Sequence, residues 1–414
     1  MNAAHPDRPI LLAVFVLTYV GIAVGHVPRL RLNRVGIALL GAIAMMVVSG
    51  SSARETVAWV NWPAMFLLFG FFVLSSQLSL SGFYGWIAGR LSGRHGTPAH
   101  FLLVLMAVAA GLSAFLNHDI VCYVFTPIVS VALARRRLNP VPFLIALALA
   151  SNIGAAATLI GNAQGILIGE VAHLSFQRYM LWSFLPVGAT LAAAYGLTVR
   201  SLGRWPGAGP GSSSAEPATQ DHPFDRVHTA KGLVIFAAVI ALCFTRLPKE
   251  VVVLVAAGIH LASPKFRTED LLALVDWPIL VLFMSLFVVT GAFAATGYAE
   301  TAVHWMEGIG LNPARPANEA LLTAALTALM NNAPAVMLLL KIVPLSHAST
   351  AYVLALANSF GGNIFLSASI SNLIVVQQAR QQGIVITFRD FARLGLPVTL
   401  AGLAILIEWV ALTG

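Results

Sequence analysis

Charge is scarce in this chain. Only 10% of its 414 residues are Asp, Glu, Lys or Arg, against roughly 25% in soluble domains, and 58% are hydrophobic. So few charges point to an integral membrane protein. Cysteine is nearly missing: Cys122 and Cys243 both lie inside apolar runs, which excludes a disulfide framework and leaves Cys122 as a small packing residue. There is no His-Glu-x-x-His or similar metal-ligand spacing and no nucleophile paired with His118 and Asp119, so an intramembrane enzyme is not expected and no cofactor is called for. No basic patch interleaved with aromatics is present either. The net charge of +8 comes from lysines and arginines in short loops between apolar runs, where they set orientation rather than hold nucleic acid. The first apolar stretch, Ile10 to about Gly25, has a leader with the single arginine Arg8 and is matched by a segment from about Gly232 to Phe244. It reads as a retained span, not a signal peptide.

What the chain does have is one interrupted membrane pattern, written twice. Trp62-Pro63 opens an apolar run ending at Gly82-Phe83-Tyr84, and Trp277-Pro278 opens another ending at Gly297-Tyr298, at the same interval. Asn117-His118-Asp119 answers to Asn331-Asn332-Ala333, and Ser151-Asn152-Ile153-Gly154 answers to Asn358-Ser359-Phe360-Gly361. Apolar runs of membrane length predict spans near 10–26, 35–50, 63–89, 142–169 and 180–199, then near 231–245, 249–263, 278–295, 350–377 and 393–412. Between the third and fourth span of each half lie shorter arms, 99–116 and 120–134 in the first, 320–330 and 333–345 in the second. At about 1.5 Å per residue the latter pair falls short of a core about 30 Å thick, so both pairs are expected to form re-entrant hairpins.

The predicted fold is an all-α polytopic membrane protein of two inverted repeats, each of about five transmembrane helices with a re-entrant hairpin and an interrupted helix. Residues 1–200 make the first repeat (hairpin about 99–134, interrupted helix about 142–169) and 230–414 the second (hairpin about 320–345, interrupted helix about 350–377). The Gly/Ser-rich stretch 201–229 is a linker. An odd number of crossings inverts the second half. Of the 24 lysines and arginines, Arg8, Arg54, Arg178, Arg246, Lys249, Arg315 and Lys341 fall on one side and all the others on the opposite side. The positive-inside rule makes the richer side cytoplasmic, with the linker there and both termini outside.

Broken backbone survives at membrane depth only where it lines a cavity or is buried in protein, so the breaks are the candidate site. The first tip offers Asn117, His118 and Asp119, the second Asn331 and Asn332. Asparagine can cap a helix end while its carbonyl oxygen faces a cation, and each tip exposes a helix N-terminus that favours an anion. The interrupted helices add Ser151, Asn152, Gly154, Thr158, Gly161 and Asn162, and from the other half Asn358, Gly361, Gly362, Asn363, Ser367, Ser369 and Asn372. Glycine permits unwinding, and unwound carbonyls can coordinate sodium, for which Asn117, Gly154, Asn331 and Gly361 are the candidates. Asp119, an ionisable group near the bilayer midplane, is a candidate for ion or proton handling. His118, since imidazoles in general titrate near neutral pH, is a candidate relay.

These motifs, with Phe125-Thr126-Pro127-Ile128-Val129 after the first tip and Met330-Asn331-Asn332-Ala333-Pro334 at the second, resemble the ion-transporter superfamily of citrate and divalent-anion symporters, arsenite pump membrane subunits and sodium/proton antiporters. The resemblance covers nearly the whole chain. It implies an elevator-type secondary transporter in the cell membrane, often a homodimer, with a scaffold and a moving region that holds both hairpins and both interrupted helices. The dicarboxylate carriers have Ser-Asn-Thr at both tips, whereas Asn117-His118-Asp119 is closer to the Asn-Asp-Gly of arsenite pumps, and Ala163-Gln164 stands where many relatives have two prolines. The expectation is therefore carriage of an anion or oxyanion, arsenite among them, coupled to sodium or protons. A sodium/proton antiporter and a di- or tricarboxylate symporter are the alternatives.

Overall fold

The computed structural model describes residues 8–25, 32–93, 96–203, 205, 223–245, 247–345 and 347–413. The Gly/Ser core of the expected linker lies outside them, as do Arg29, Arg31, Arg94, Arg204 and Arg246 of the orientation argument. The described residues are helical throughout, without strands.

The first half runs α1 (Arg8–Val24), α2 (Arg34–Ser49), α3 (Ala53–Trp59), α4 (Trp62–Leu80), α5 (Phe83–Ser92), α6 (Pro98–Ser113), α7 (His118–Arg135), α8 (Val141–Ala155), α9 (Ala163–Val171) and α10 (Phe176–Leu202). The second half answers it in order with α11 (Arg226–Cys243), α12 (Lys249–Leu261), α13 (Thr268–Ala273), α14 (Trp277–Ala294), α15 (Tyr298–Gly308), α16 (Pro316–Met330), α17 (Asn332–Ile342), α18 (Ala348–Gly361), α19 (Ile370–Gln381) and α20 (Phe388–Thr413), plus a short 3-10 turn, Leu366–Ala368.

Local chemistry repeats with the elements. Asn61 caps α4 by accepting from the Ala64 amide, and Asp276 caps α14 by accepting from Ile279. The indole Nε1 of Trp62 donates to the Val57 carbonyl at 3.2 Å, that of Trp277 to Leu272 at 2.9 Å, so each tryptophan pins the start of a long helix to the short helix before it. The expected span over 63–89 is broken: α4 stops and α5 starts anew after Gly82, at φ +74°, as α15 does after Gly297 at φ +78°. This left-handed conformation favours glycine, and it turns the chain out of the span.

Packing follows the same symmetry. α4 lies against α12 and α14 against α2, each long helix of one half on the second helix of the other, while α10 and α20 pack together. α4 and α14 are apolar around their circumference. Their apolar windows are 78% and 72% buried, against 28% for α10 and α11, where most of the apolar surface is left for lipid. Among the described residues, six helices are long and apolar enough to cross a membrane: α4, α7, α10, α11, α14 and α20.

Candidate functional site

Four helix pairs break or turn at the same level of the bundle. α6 and α16 end, and α7 and α17 begin, at the hairpin tips. α8 and α18 end, and α9 and α19 begin, at the interrupted helices. α7 packs on α19 and α17 on α9, so each hairpin's second arm lies against the outgoing piece of the other half's broken helix. Helix N-termini carry free N–H groups and partial positive charge, and here they are treated unequally. Asn117 caps α7, its Oδ1 accepting from the Asp119 amide at 2.8 Å, and Asn162 caps α9, accepting from Gly165 at 2.6 Å. α17 and α19 have no side-chain cap.

Side chains from the two halves meet across this level. Asn152 of α8 donates from Nδ2 to Asn363 Oδ1 and to Asn372 Oδ1, both at 2.9 Å, and accepts from the Ser369 hydroxyl at 3.0 Å. Asn162 Nδ2 donates to Ser359 Oγ at 3.1 Å. Asp119 accepts a 2.5 Å hydrogen bond from Ser371 in the first turn of α19, and His118 Nε2 is 3.6 Å from the same carboxylate oxygen. Within the second half, Asn358 Nδ2 bonds Thr327 Oγ1 at 2.9 Å and the Asn332 carbonyl at 3.1 Å, and Asn331 Nδ2 reaches the Ser367 carbonyl at 3.2 Å. Asn372 Nδ2 bonds the carbonyls of Gly362 and Phe365, and Thr158 bonds the Ala114 carbonyl beside the first tip. Nearly all of these residues are buried.

The glycines here are packing residues as well as breaks. A Cβ on Gly154 would run into the backbone of Ala110, and one on Gly361 into Ala324, so each broken helix sits directly on the first arm of its own half's hairpin. Asn331 itself has φ +79° and ψ 161°, a region that side chains rarely enter and that costs about 1–3 kcal/mol.

Several polar atoms are buried without a partner: Ser113 Oγ, His118 Nδ1, Ser151 Oγ, Asn332 Oδ1, Asn358 Oδ1 and Asn363 Nδ2. A buried group left unpaired costs about 1–3 kcal/mol, so this set can bind something polar. Two cavities reach the first tip, and the smaller also touches His118 of this set. One of about 1210 Å³ begins at Asn117 and Asp119, runs along α7 past Tyr123 and Ile128 to Arg135 and Arg136, and is walled by Asp276 and Pro278 of α14, Ile374 and Gln378 of α19 and Phe224. The other, about 20 Å³, has room for about one water between Asn117, His118 and Asp119 and Gly161 and Asn162.

Three residues here were absent from the site expected on sequence. Ser371 and Ser359 partner Asp119 and Asn162; their signal was the serine-rich run beside the breaks. Asp276 occupies the helix-capping place of Asn61, and that substitution of a carboxylate within the repeat was its signal.

Residues 13–357 match the family model described as citrate transporter. An uncharacterized transporter of Mycobacterium tuberculosis is 29% identical over 427 residues, covering 96% of each chain. The magnetosome protein MamN of Paramagnetospirillum magneticum is 27% identical over 66% of this chain and 65% of its own. The silicon efflux transporter LSI3 of Oryza sativa subsp. japonica is 35% identical over 155 residues, 37% of this chain and 32% of its own. Among solved structures, the YdaH transporter of Alcanivorax borkumensis superposes with a TM-score of 0.62 at 13% identity, covering 98% of both chains, which is a likeness of fold. Its apolar spans, duplicated broken helices and match over most of its length make the chain a multi-pass membrane transporter of the citrate transporter family.

Proposed function

We propose that the protein is a secondary active carrier of a small oxyacid or oxyanion, with arsenite-like inorganic substrates in first place, coupled to sodium or protons and working by an elevator motion of the hairpins and broken helices. The observation that carries this reading is the make-up of the meeting point. Amides, hydroxyls and the uncapped N-termini of α17 and α19 surround it, Asp119 contributes a carboxylate, and none of the side-chain hydrogen bonds there comes from Lys or Arg. Helix N-termini bind oxygen-rich anions, while a carboxylate disfavours a multivalent one, so a neutral or weakly charged oxyacid suits both. The relative named for silicon efflux agrees with an inorganic substrate. With the linker cytoplasmic, the large cavity opens inward, since Phe224 at the linker's end lies in its wall. Sodium would be held by side-chain and backbone oxygens near Asn117, Gly154, Asn331 and Gly361.

A carboxylate substrate is the second reading, favoured by the family description and by Arg135 and Arg136 in the wall of the cavity. Thermal unfolding of the purified protein with arsenite, antimonite, phosphate, sulfate, citrate or succinate, each with and without sodium, separates the two, because a ligand of the folded state raises the melting temperature by mass action, about 2.7 kcal/mol at a hundred times Kd. We expect arsenite or antimonite to give the largest rise. A rise with citrate or succinate alone transfers the assignment to carboxylates.

A further inference from the structure

One carboxyl group stands alone in the second hairpin. Glu319 lies in the first turn of α16 with 0% exposure, and neither of its oxygens has a hydrogen-bond partner. Four residues on, Thr323 is equally buried and its hydroxyl is also unpartnered. Thr327 follows, buried and bonded to Asn358, and Asn331 ends the series at the tip. Residues four apart share a helix face, so these four make a buried polar stripe from the start of the arm to the tip, about 6 Å per step. The first hairpin lacks it. Counting back from Asn117 by the same steps gives Ser113, Ala109 and Leu105, so leucine stands where the second half has its glutamate.

Ion pairing does not account for Glu319. The elements packed against α16 are α1, α17, α18, α20 and the 3-10 turn. Arg315 precedes Glu319 by one turn, and the packed elements carry Arg8, Tyr19, Lys341, His347, Tyr352, Arg389, Asp390, Arg393 and Glu408. None forms an ion pair with Glu319 among the described residues. A carboxylate buried without donor or counter-ion is strongly disfavoured against the neutral acid.

We propose that Glu319 is a proton-binding site carried by the second hairpin, protonated in the conformation seen here, and that its proton is the coupling ion. The step is a single O–H bond. Hydronium gives its proton to a carboxylate oxygen when this end of the arm meets water on one side of the membrane. The same bond breaks when the hairpin meets water on the other side. The inference rests on the carrier reading and deepens it by naming the coupling ion.

Infrared titration of the lipid-reconstituted protein tests it, with Glu319→Gln and with Glu319→Leu, which copies Leu105 and leaves no buried polar group. The wild type is expected to show a protonated-carboxyl C=O band near neutral pH that both variants lack. In proteoliposomes under a pH gradient, with arsenite, phosphate and citrate as probes, the variants are expected to keep equilibrating exchange but to lose gradient-driven accumulation by about tenfold or more. A band unchanged in either folded variant, or undiminished accumulation, overturns the proposal. A band assigned to Glu319 in a wild type that moves none of the probes supports the proton site and overturns the carrier reading instead.

Discussion

At the level of single residues, the tip of the second hairpin shows how backbone and side chain are set against each other. Asn331 holds a φ of +79° that glycine would adopt freely, and its side chain bonds the Ser367 carbonyl. Replacing it should therefore separate strain from function. Asn331→Gly is expected to melt above Asn331→Ala, by about 1 kcal/mol in stability, while both lose ligand-induced stabilisation. Equal melting temperatures for the two variants would mean that the tip is not strained. The asparagines at the breaks were legible in sequence because polar residues stand out in apolar runs. Glu319 was not, because the arm was expected to start at 320 and the structure starts it at Pro316, which brings the carboxyl inside.

Among elements, the short helices and caps that pin the long ones carry the argument. Asp225 caps α11, accepting from the amides of Val227 and His228, and its own amide bonds the Ser81 carbonyl at the end of α4. The His228 amide above all holds its carboxyl below the usual carboxylate range. Because the folded value lies below the unfolded one, this stabilisation is complete above the unfolded value and disappears as pH falls through the folded one. Protection against hydrogen exchange at residues 226–229, taken relative to the intrinsic rate at each pH, should therefore fall on acidification in the wild type. Asp225→Asn, which keeps a capping acceptor and cannot titrate, should hold its protection level across the same range. Parallel loss of protection in both proteins would remove Asp225 as the cause. Capping pairs such as Ser52 with Glu55 are readable from their spacing, whereas the span placed over 63–89 ran past the run's end at Gly82, whose left-handed backbone separates α4 from α5.

Taken whole, the molecule is two copies of one chain plan locked crosswise, with a long cavity between the hairpin of the first half and the start of α14 in the second. Tyr123, 52% exposed, lines that cavity, and both native cysteines are buried, so a single thiol placed there can report which side the cavity opens to. Tyr123→Cys is expected to react with a membrane-impermeant thiol reagent from the linker side and to be protected from the other. Reaction from the opposite side alone would invert the proposed orientation.

Composition, apolar run length and the fixed interval between matching motifs by themselves determined that this is a duplicated, all-helical membrane protein whose polar breaks mark its centre. Those are properties of each segment against water or lipid and need no knowledge of neighbours. Only the tertiary structure decided that Asn152 closes on Asn363 and Asn372, that Asp119 meets Ser371, and that Glu319 is left without a partner. Pairings between halves about two hundred residues apart depend on how two helix bundles pack, and burial without a partner is a property of every surrounding element together.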